Sequence, residues 1–458
     1  MAEAPAANAT ASSTAVSPKT IRTAVLASAI GNATEWYDYG VFTSGAIATT
    51  IGTLFFPSGS GSAVLKSLAL VAIGFIVRPF GGSFFGPLGD KIGRQRVLAI
   101  TILMMSGCTF LVGVMPTYAT AGAGAIAAIL LLRLIQGFST GGEYGGAATF
   151  ISEYAPAKRR GFFGSFLELG TLSGYVFGNL VVLAVTLSLS AHQLSAWGWR
   201  IPFFVALPLG LTGLFVRLRL EDTPEFRRLA SAGEKAEKAP LRETLVTSWR
   251  EILSLVGIVA LLGIADYELL TTMPTYFTAT LKVSASASLV IIIGVEVLQM
   301  ALIVPLGALS DRIGRKPLLL TSAIGFIVLS WPAVKLMQTG STGLLFVGFA
   351  VTAVLLVLIL AVIGSTFPAM FRTRVRYGAF AIGYNVSIAL FGGTAGVVVT
   401  ALINVTGIKD IPAFYLMLAG LIGIVPILRM RETARVPMEQ IGRPRVRRAG
   451  WSLRTESQ

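Results

Sequence analysis

The stretch Gly86-Pro-Leu-Gly-Asp90-Lys-Ile-Gly-Arg94-Gln-Arg96 recurs 221 residues later as Gly307-Ala-Leu-Ser-Asp311-Arg-Ile-Gly-Arg315-Lys-Pro317. Of the nine positions from Gly86 to Arg94, six are identical in the second copy, and Lys91 is matched by another cation, Arg312. Each copy sits between long apolar segments, which is the setting of a short charged loop joining two helices at a membrane surface. A small residue lets the helix ends approach, the acid accepts hydrogen bonds at a helix end, and the cations stay in water or near anionic head groups. One such loop reads equally well as an ordinary polar turn. Two copies at matching places divide the chain into two similar halves.

Composition sets the solvent. Hydrophobic residues make up 54% of the 458, charged ones 13%, and mean hydropathy is +0.75, far from the balance of a soluble globular protein. The expected class is an all-α, polytopic integral membrane protein. A formal charge of +15 would suit a nucleic-acid binder only if the cations shared a soluble face, and here they cluster between apolar segments. Nucleic acid is therefore not an expected partner. A single cysteine, Cys108, and a single histidine, His192, exclude a disulfide framework and a Cys/His metal site built from this chain alone. The chain also offers no nucleophile, histidine and acid in combination and no phosphate loop, so an enzyme is not expected.

A membrane helix needs about 20 mostly apolar residues, and the sequence predicts twelve spans. They lie near 22–51, 65–87, 97–115, 122–152, 161–189 and 200–219, then 252–278, 285–309, 317–338, 341–369, 376–405 and 410–430. The organisation follows: a polar tail over 1–19, a first six-helix bundle over 20–220, a charged cytoplasmic linker over 221–250, a second bundle over 251–431 and a basic tail over 432–458. Residues 1 to 18 show no cleavable signal. Cations fall in alternate loops, which by the positive-inside rule puts both termini in the cytoplasm. Gly137, Gly141 and Gly145, and again Gly170, Gly174 and Gly178, recur every four residues and lay a smooth stripe along one helix face.

Charges inside spans are functional candidates by default. The first span carries Glu35-Trp36-Tyr37-Asp38-Tyr39, with both acids on one helix face and one of them a candidate for exchanging a proton. Arg133 in the fourth span, with Gln136 close to one turn on, is the expected counter-charge of Asp38. The pair either couples proton occupancy to helix movement or is a static packing contact. Arg78 lies about 18 Å of helix from Asp90, near mid-membrane beside Pro79. It either holds a substrate carboxylate or neutralises Glu143 or Glu168. In span seven Asp266 and Glu268 flank Tyr267, and two residues turn a helix by about 200°, so both acids cannot face one cavity. Glu296, with Gln299 three residues later, is a further candidate in span eight. Trp36, Tyr37 and Tyr39 are either faces for a quaternary ammonium group or packing aromatics.

Beyond these residue readings, the chain resembles the metabolite:H⁺ symporter family of the major facilitator superfamily. The likeness rests on Asn32-Ala-Thr-Glu35-Trp36-Tyr37-Asp38-Tyr39-Gly40, Arg78-Pro79-Phe-Gly-Gly82, Gln136-Gly-Phe-Ser-Thr-Gly-Gly-Glu143-Tyr144, Trp197-Gly-Trp-Arg200-Ile-Pro202 and Glu221-Asp-Thr-Pro224. It covers nearly all of residues 20 to 432. It implies twelve transmembrane helices in two six-helix bundles, a central site, alternating access and proton coupling in a bacterial cytoplasmic membrane. Asp38, Arg133 and Glu35 would then serve proton coupling. Trp36, Tyr37, Tyr39, Arg78, Gln136, Glu143, Asp266 and Tyr267 would line the substrate site, and Asp90, Arg94, Asp311 and Arg315 would form the cytoplasmic gating loops. The expected cargo is a small zwitterion such as proline or glycine betaine, the alternative an organic acid such as α-ketoglutarate, a dicarboxylate or a shikimate-like compound. The proton motive force would take the place of any cofactor. The expected partners are the metabolite, H⁺ and membrane lipids, and a monomer is expected.

Overall fold

The computed structural model describes residues 18–57, 62–92, 94–218, 241–371 and 376–436. The expected tails, up to residue 17 and beyond 436, and most of the expected linker lie outside the described residues, as do the side chains of Asp90 and Arg94. One half comprises α1 (Pro18–Thr43, resuming over Gly45–Leu54), α2 (Ala63–Ile92), α3 (Arg94–Val114), α4 (Ala123–Thr140, resuming over Glu143–Tyr154), α5 (Arg160–Ser188) and α6 (Ile201–Leu218). The other comprises α7 (Leu241–Asp266, carried on to Thr280), α8 (Ala285–Ile313), α9 (Lys316–Met337), α10 (Thr342–Thr366), α11 (Arg376–Ser387, carried on to Thr406) and α12 (Ile411–Arg429). Among the described residues eleven helical segments are long and apolar enough to cross a membrane. The exception is α1, which carries two acids and breaks at Ser44.

The burial pattern is that of a protein dissolved in lipid. Phe80, Phe84, Leu131, Leu253 and Val328 are exposed, whereas Glu35, Arg78, Arg133, Glu168 and Glu296 are buried. Apolar side chains meet hydrocarbon at no cost, so the outside is greasy and polar groups turn inward to find partners.

Three spans predicted as continuous are interrupted, each for a local reason. At Ser44 the backbone is extended (φ −54°, ψ 135°) and the hydroxyl donates to the Val41 carbonyl at 2.8 Å. The Gly141-Gly142 pair forms a turn inside span four. Pro274, which lacks an N–H, sits between two wider π-helical turns, Tyr267–Thr272 and Tyr276–Thr280, and such turns recur at functional sites. Helix α7 also begins at Leu241, inside the stretch expected as linker, and kinks at Ser248.

The glycine stripes set which helices come close. A Cβ on Gly170 would stand 2.3 Å from the Ala29 carbonyl oxygen, and one on Gly174 2.4 Å from that of Ala33, so only glycine lets α5 lie this near α1. Gly137 and Gly141 do the same for α4 against α2, at 1.8 Å from the Gly74 carbonyl oxygen and 2.0 Å from that of Arg78. Gly145 faces only the Phe380 ring and Ala381, at ordinary contact distance. Between halves, α5 lies against α8 and α10, and α2 against α11. The halves also touch at both ends of this seam. Gly45 faces Pro274 and Thr278 at one end, and at the other Gly164 faces Gly364 and the Asn385 amide donates to the Gly141 carbonyl at 3.0 Å.

Candidate functional site

The two acids of α1 are three residues apart, yet each has its own arginine. Glu35 Oε1 pairs with Arg78 Nη2 at 2.5 Å, and Asp38 Oδ2 with Arg133 Nη1 at 2.6 Å, all four side chains being at most 3% exposed. Each nitrogen of the Arg78 fork has a partner: besides the Nη2 pair, Nε donates to Thr140 Oγ1 at 2.8 Å, and Nη1 donates to Tyr267 Oη at 3.1 Å across the seam. The close α2–α4 approach at Gly137 and Gly141 is what brings Thr140 within reach. Arg78 thus pairs with neither of the acids foreseen for it, because Glu143 is paired with Arg217 and Glu168 accepts from Tyr144 Oη and Thr171 Oγ1 at 2.8 and 2.9 Å.

Around Arg78 the seam is aromatic. The Trp36 ring lies 5.0 Å from Tyr39, 5.5 Å from Tyr175 and 5.8 Å from Tyr267, and Phe75 lies 4.8 Å from Tyr267 and 5.6 Å from Tyr39. Trp36 Nε1 donates to Asn32 Oδ1 at 3.2 Å, and Asn32 in turn donates to Thr171 and the Leu167 carbonyl, which fixes the indole on the α1–α5 face. Tyr144 of α4 stacks on Tyr384 of α11 with centroids 4.5 Å apart, so a second aromatic pair also joins the halves.

Three further acids line this seam. Glu168 lies beneath Tyr144, Glu296 accepts from Asn179 Nδ2 at 3.0 and 3.1 Å across the α5–α8 contact, and Asp266 stands within electrostatic reach of Glu168 and Arg78. Of the four seam acids, Glu35 pairs with Arg78 and Asp266 stands within its electrostatic reach. A second anion is disfavoured here, whereas a ligand with its own positive pole is not.

Several expected site residues lie elsewhere. Tyr37 donates to the Pro202 carbonyl at 2.7 Å and packs on Phe177, turned away from Tyr39 because adjacent odd positions of a helix point about 200° apart. Gln136 donates to Thr109 at 2.8 Å and to Asp38 at 3.4 Å, inside the first half. Glu143 belongs with Arg217 near the end of α6. The Asp38–Arg133 pair is likewise internal to this half, with the Arg133 guanidinium 3.6 Å above the Phe42 ring. Sequence reading missed Phe75, Tyr175 and Asn179. The available signals were Phe75 one turn before Arg78, and Tyr175 and Asn179 each following a stripe glycine.

At the surface the second motif copy joins the halves. Asp311 accepts from the Gly161 and Phe162 N–H groups at 2.8 and 2.9 Å, seating its charge on the N-terminus of α5. Arg315 donates to the Ser365 carbonyl and Thr433 Oγ1, both at 2.8 Å. Burial, and then the neighbouring Arg160 cation, bring Arg315 down to about 10. Below it Glu432 accepts from the backbone N–H groups of Arg315, Lys316, Thr433 and Ala434. Partial burial pushes this carboxyl up, but the four N–H groups outweigh it and hold it below the usual range.

Comparison with known proteins agrees with this architecture. The sequence pattern of the family described as "Sugar (and other) transporter" matches residues 23–247 and again 231–444. The "Proline/betaine transporter" of Salmonella typhimurium is 40% identical over 428 residues, covering 92% of this chain and 85% of that one. The "Glycine betaine/proline/ectoine/pipecolic acid transporter OusA" of Dickeya dadantii is 40% identical with the same coverage. Among solved structures, the proton:xylose symporter XylE bound to 6-bromo-6-deoxy-D-glucose superposes with a TM-score of 0.73 at 19% identity, over 92% of this chain and 98% of that one.

Proposed function

Because this chain belongs to the Sugar (and other) transporter family of the major facilitator superfamily, we propose that it takes up a small zwitterion of the proline and glycine betaine class. Uptake is driven by protons and proceeds by alternating access across a bacterial cytoplasmic membrane, with both termini inside. The observation that carries the substrate class is the Arg78 guanidinium set among Trp36, Tyr39, Tyr175, Phe75 and Tyr267. One pole of a zwitterion is a carboxylate, for which a planar fork is the natural partner. The other is an ammonium or quaternary ammonium, which aromatic faces attract by about 0.5 to 2 kcal/mol.

In this conformation Arg78 is held by Glu35 and by the Tyr267 hydroxyl of the opposite half. An entering carboxylate competes for the Nη1 position, so substrate exchanges one link across the seam for another. Asp38 is the proposed coupling acid. Its proton and Arg133 are alternative neighbours, so protonation frees the arginine and shifts the balance between conformations. The names of the relatives support the same cargo, whereas the two acids near Arg78, Glu35 and Asp266, argue against a dicarboxylate.

The test is labelled glycine betaine uptake into proteoliposomes under an imposed pH gradient, with proline and α-ketoglutarate as competitors. Competition by proline alone supports the reading. Competition by α-ketoglutarate alone replaces it with organic-acid transport, and the absence of gradient-driven uptake refutes it.

A further inference from the structure

Each half opens with a helix that carries two closely spaced acids, Glu35 and Asp38 on α1 and Asp266 and Glu268 on α7. In the first half both acids meet an arginine. In the second, Asp266 turns to the seam and Glu268 turns away from it, into the interior of its own half. Glu268 is completely buried, and neither of its carboxylate oxygens has a hydrogen-bond partner among the described residues.

The surroundings explain why. The ionisable groups facing Glu268 are Tyr276 of the same helix and Tyr415 of α12, and the α11 stretch Gly393–Thr406 packed against its turn has no ionisable side chain. The neighbouring hydroxyl protons are already committed. Thr271 and Thr272 donate to the Tyr267 carbonyl, and Tyr276 donates to that of Lys409. Tyr415 is hydrogen-bonded with Thr394, so among the described residues no donor and no cation reaches the carboxylate, and a charge without either is costly in a membrane interior. The residue also sits in the π-helical turn Tyr267–Thr272, the part of α7 that contacts both α1 and α11. Movement of the halves therefore reaches it directly.

We propose that Glu268 is a second proton-carrying group, lodged in the C-terminal half, so that two protons cross with each substrate molecule, one on each half. This rests on the proton-coupled reading above. The proton resides on a Glu268 carboxylate oxygen in the closed-seam state and leaves when rearrangement of the turn admits water.

The experiment is the static-head accumulation of labelled glycine betaine in proteoliposomes, with the membrane potential clamped at zero and one pH unit imposed. Each coupled proton contributes about tenfold to the accumulation ratio. The unmutated protein should reach about hundredfold, and Glu268→Gln about tenfold, with counterflow exchange of betaine retained. Glu268→Met, which fills the same apolar space, should give the same drop. Infrared spectra should also lose a protonated-carboxyl carbonyl band in Glu268→Gln. About tenfold accumulation by the unmutated protein overturns the second proton while leaving the proposed function intact, and so does accumulation unchanged in both variants. No accumulation by the unmutated protein removes both.

Discussion

Replacing Asp38 by Asn separates a coupling role from a packing role, provided it is paired with replacement of Arg133. Arg133 is 3% exposed, and among the described residues its Nε and Nη2 atoms have no hydrogen-bond partner, so its charge is compensated chiefly by Asp38 and the Phe42 face. Removing one member of a buried ion pair costs about 3–5 kcal/mol, because the other charge is left behind. Asparagine keeps an oxygen able to accept from Nη1, and the ring contact survives, so the expected cost lies near the low end, about 3 kcal/mol. Removing both charges, as Asp38→Asn with Arg133→Leu, should restore stability to within about 1 kcal/mol, since paired removal is often neutral. Thermal unfolding in detergent reads this half of the experiment.

Transport reads the other half. With coupling through Asp38, the stabilised double variant still exchanges betaine in counterflow but accumulates at least about tenfold less for one imposed pH unit. With a packing role only, stability and gradient-driven accumulation return together. That joint recovery, or full accumulation by Asp38→Asn alone, would refute the coupling argument.

Arg78→Lys leaves a point charge that cannot hold Glu35, Thr140 and Tyr267 together, and should raise the KM for glycine betaine by about tenfold or more, measured by initial uptake rates. Gly174→Val drives a side chain against the Ala33 carbonyl oxygen, 2.4 Å from the Cβ position; forcing α1 and α5 apart should cost about 1–3 kcal/mol in thermal unfolding. Glu432 titrates below its ordinary value of 4.5, so its contribution is fully present above that pH and is lost as pH falls through the lowered value. Glu432→Gln at neutral pH should weaken the clamp by about 1 kcal/mol, seen as about fivefold faster hydrogen exchange at the Arg315, Lys316, Thr433 and Ala434 amides.

The duplicated motif made the two halves legible because a charged loop among apolar segments has few alternative readings. The Asp38–Arg133 contact was legible for a similar reason: Arg133 is an interior cation of α4 and needs an acid at its own depth. The choice made by Arg78 was not, since Glu35, Glu143 and Glu168 all lie in neighbouring spans and helix rotation decides among them. Arg217 falls inside the predicted span 200–219 and was not singled out, yet it reaches inward to Glu143. Its stem is long enough to point either way from a helix terminus, and sequence does not say which. Gly141 was read only as part of a packing stripe and Pro274 was not singled out, because the form of the breaks they mark depends on neighbouring hydroxyls and on the opposite half.

The separation of the two arginines has a consequence for movement. Asp38 and Arg133 lie within one half and travel together, so their pairing changes only when a proton arrives or helices shift inside that half. Arg78 is different, because Tyr267 belongs to the other half and the hydrogen bond between them cannot survive parting of the seam on that side. On the proposed function, a bound zwitterion that takes over the Tyr267 position on Arg78 keeps the halves joined by resting its positive pole between the Trp36 and Tyr39 rings of the first half and the Tyr267 ring of the second. The empty protein makes that bridge with the tyrosine hydroxyl. On that reading both the loaded and the empty protein can close and return, whereas substitution of Arg78 removes the bridge in both states, so its effect should appear in exchange as well as in net uptake.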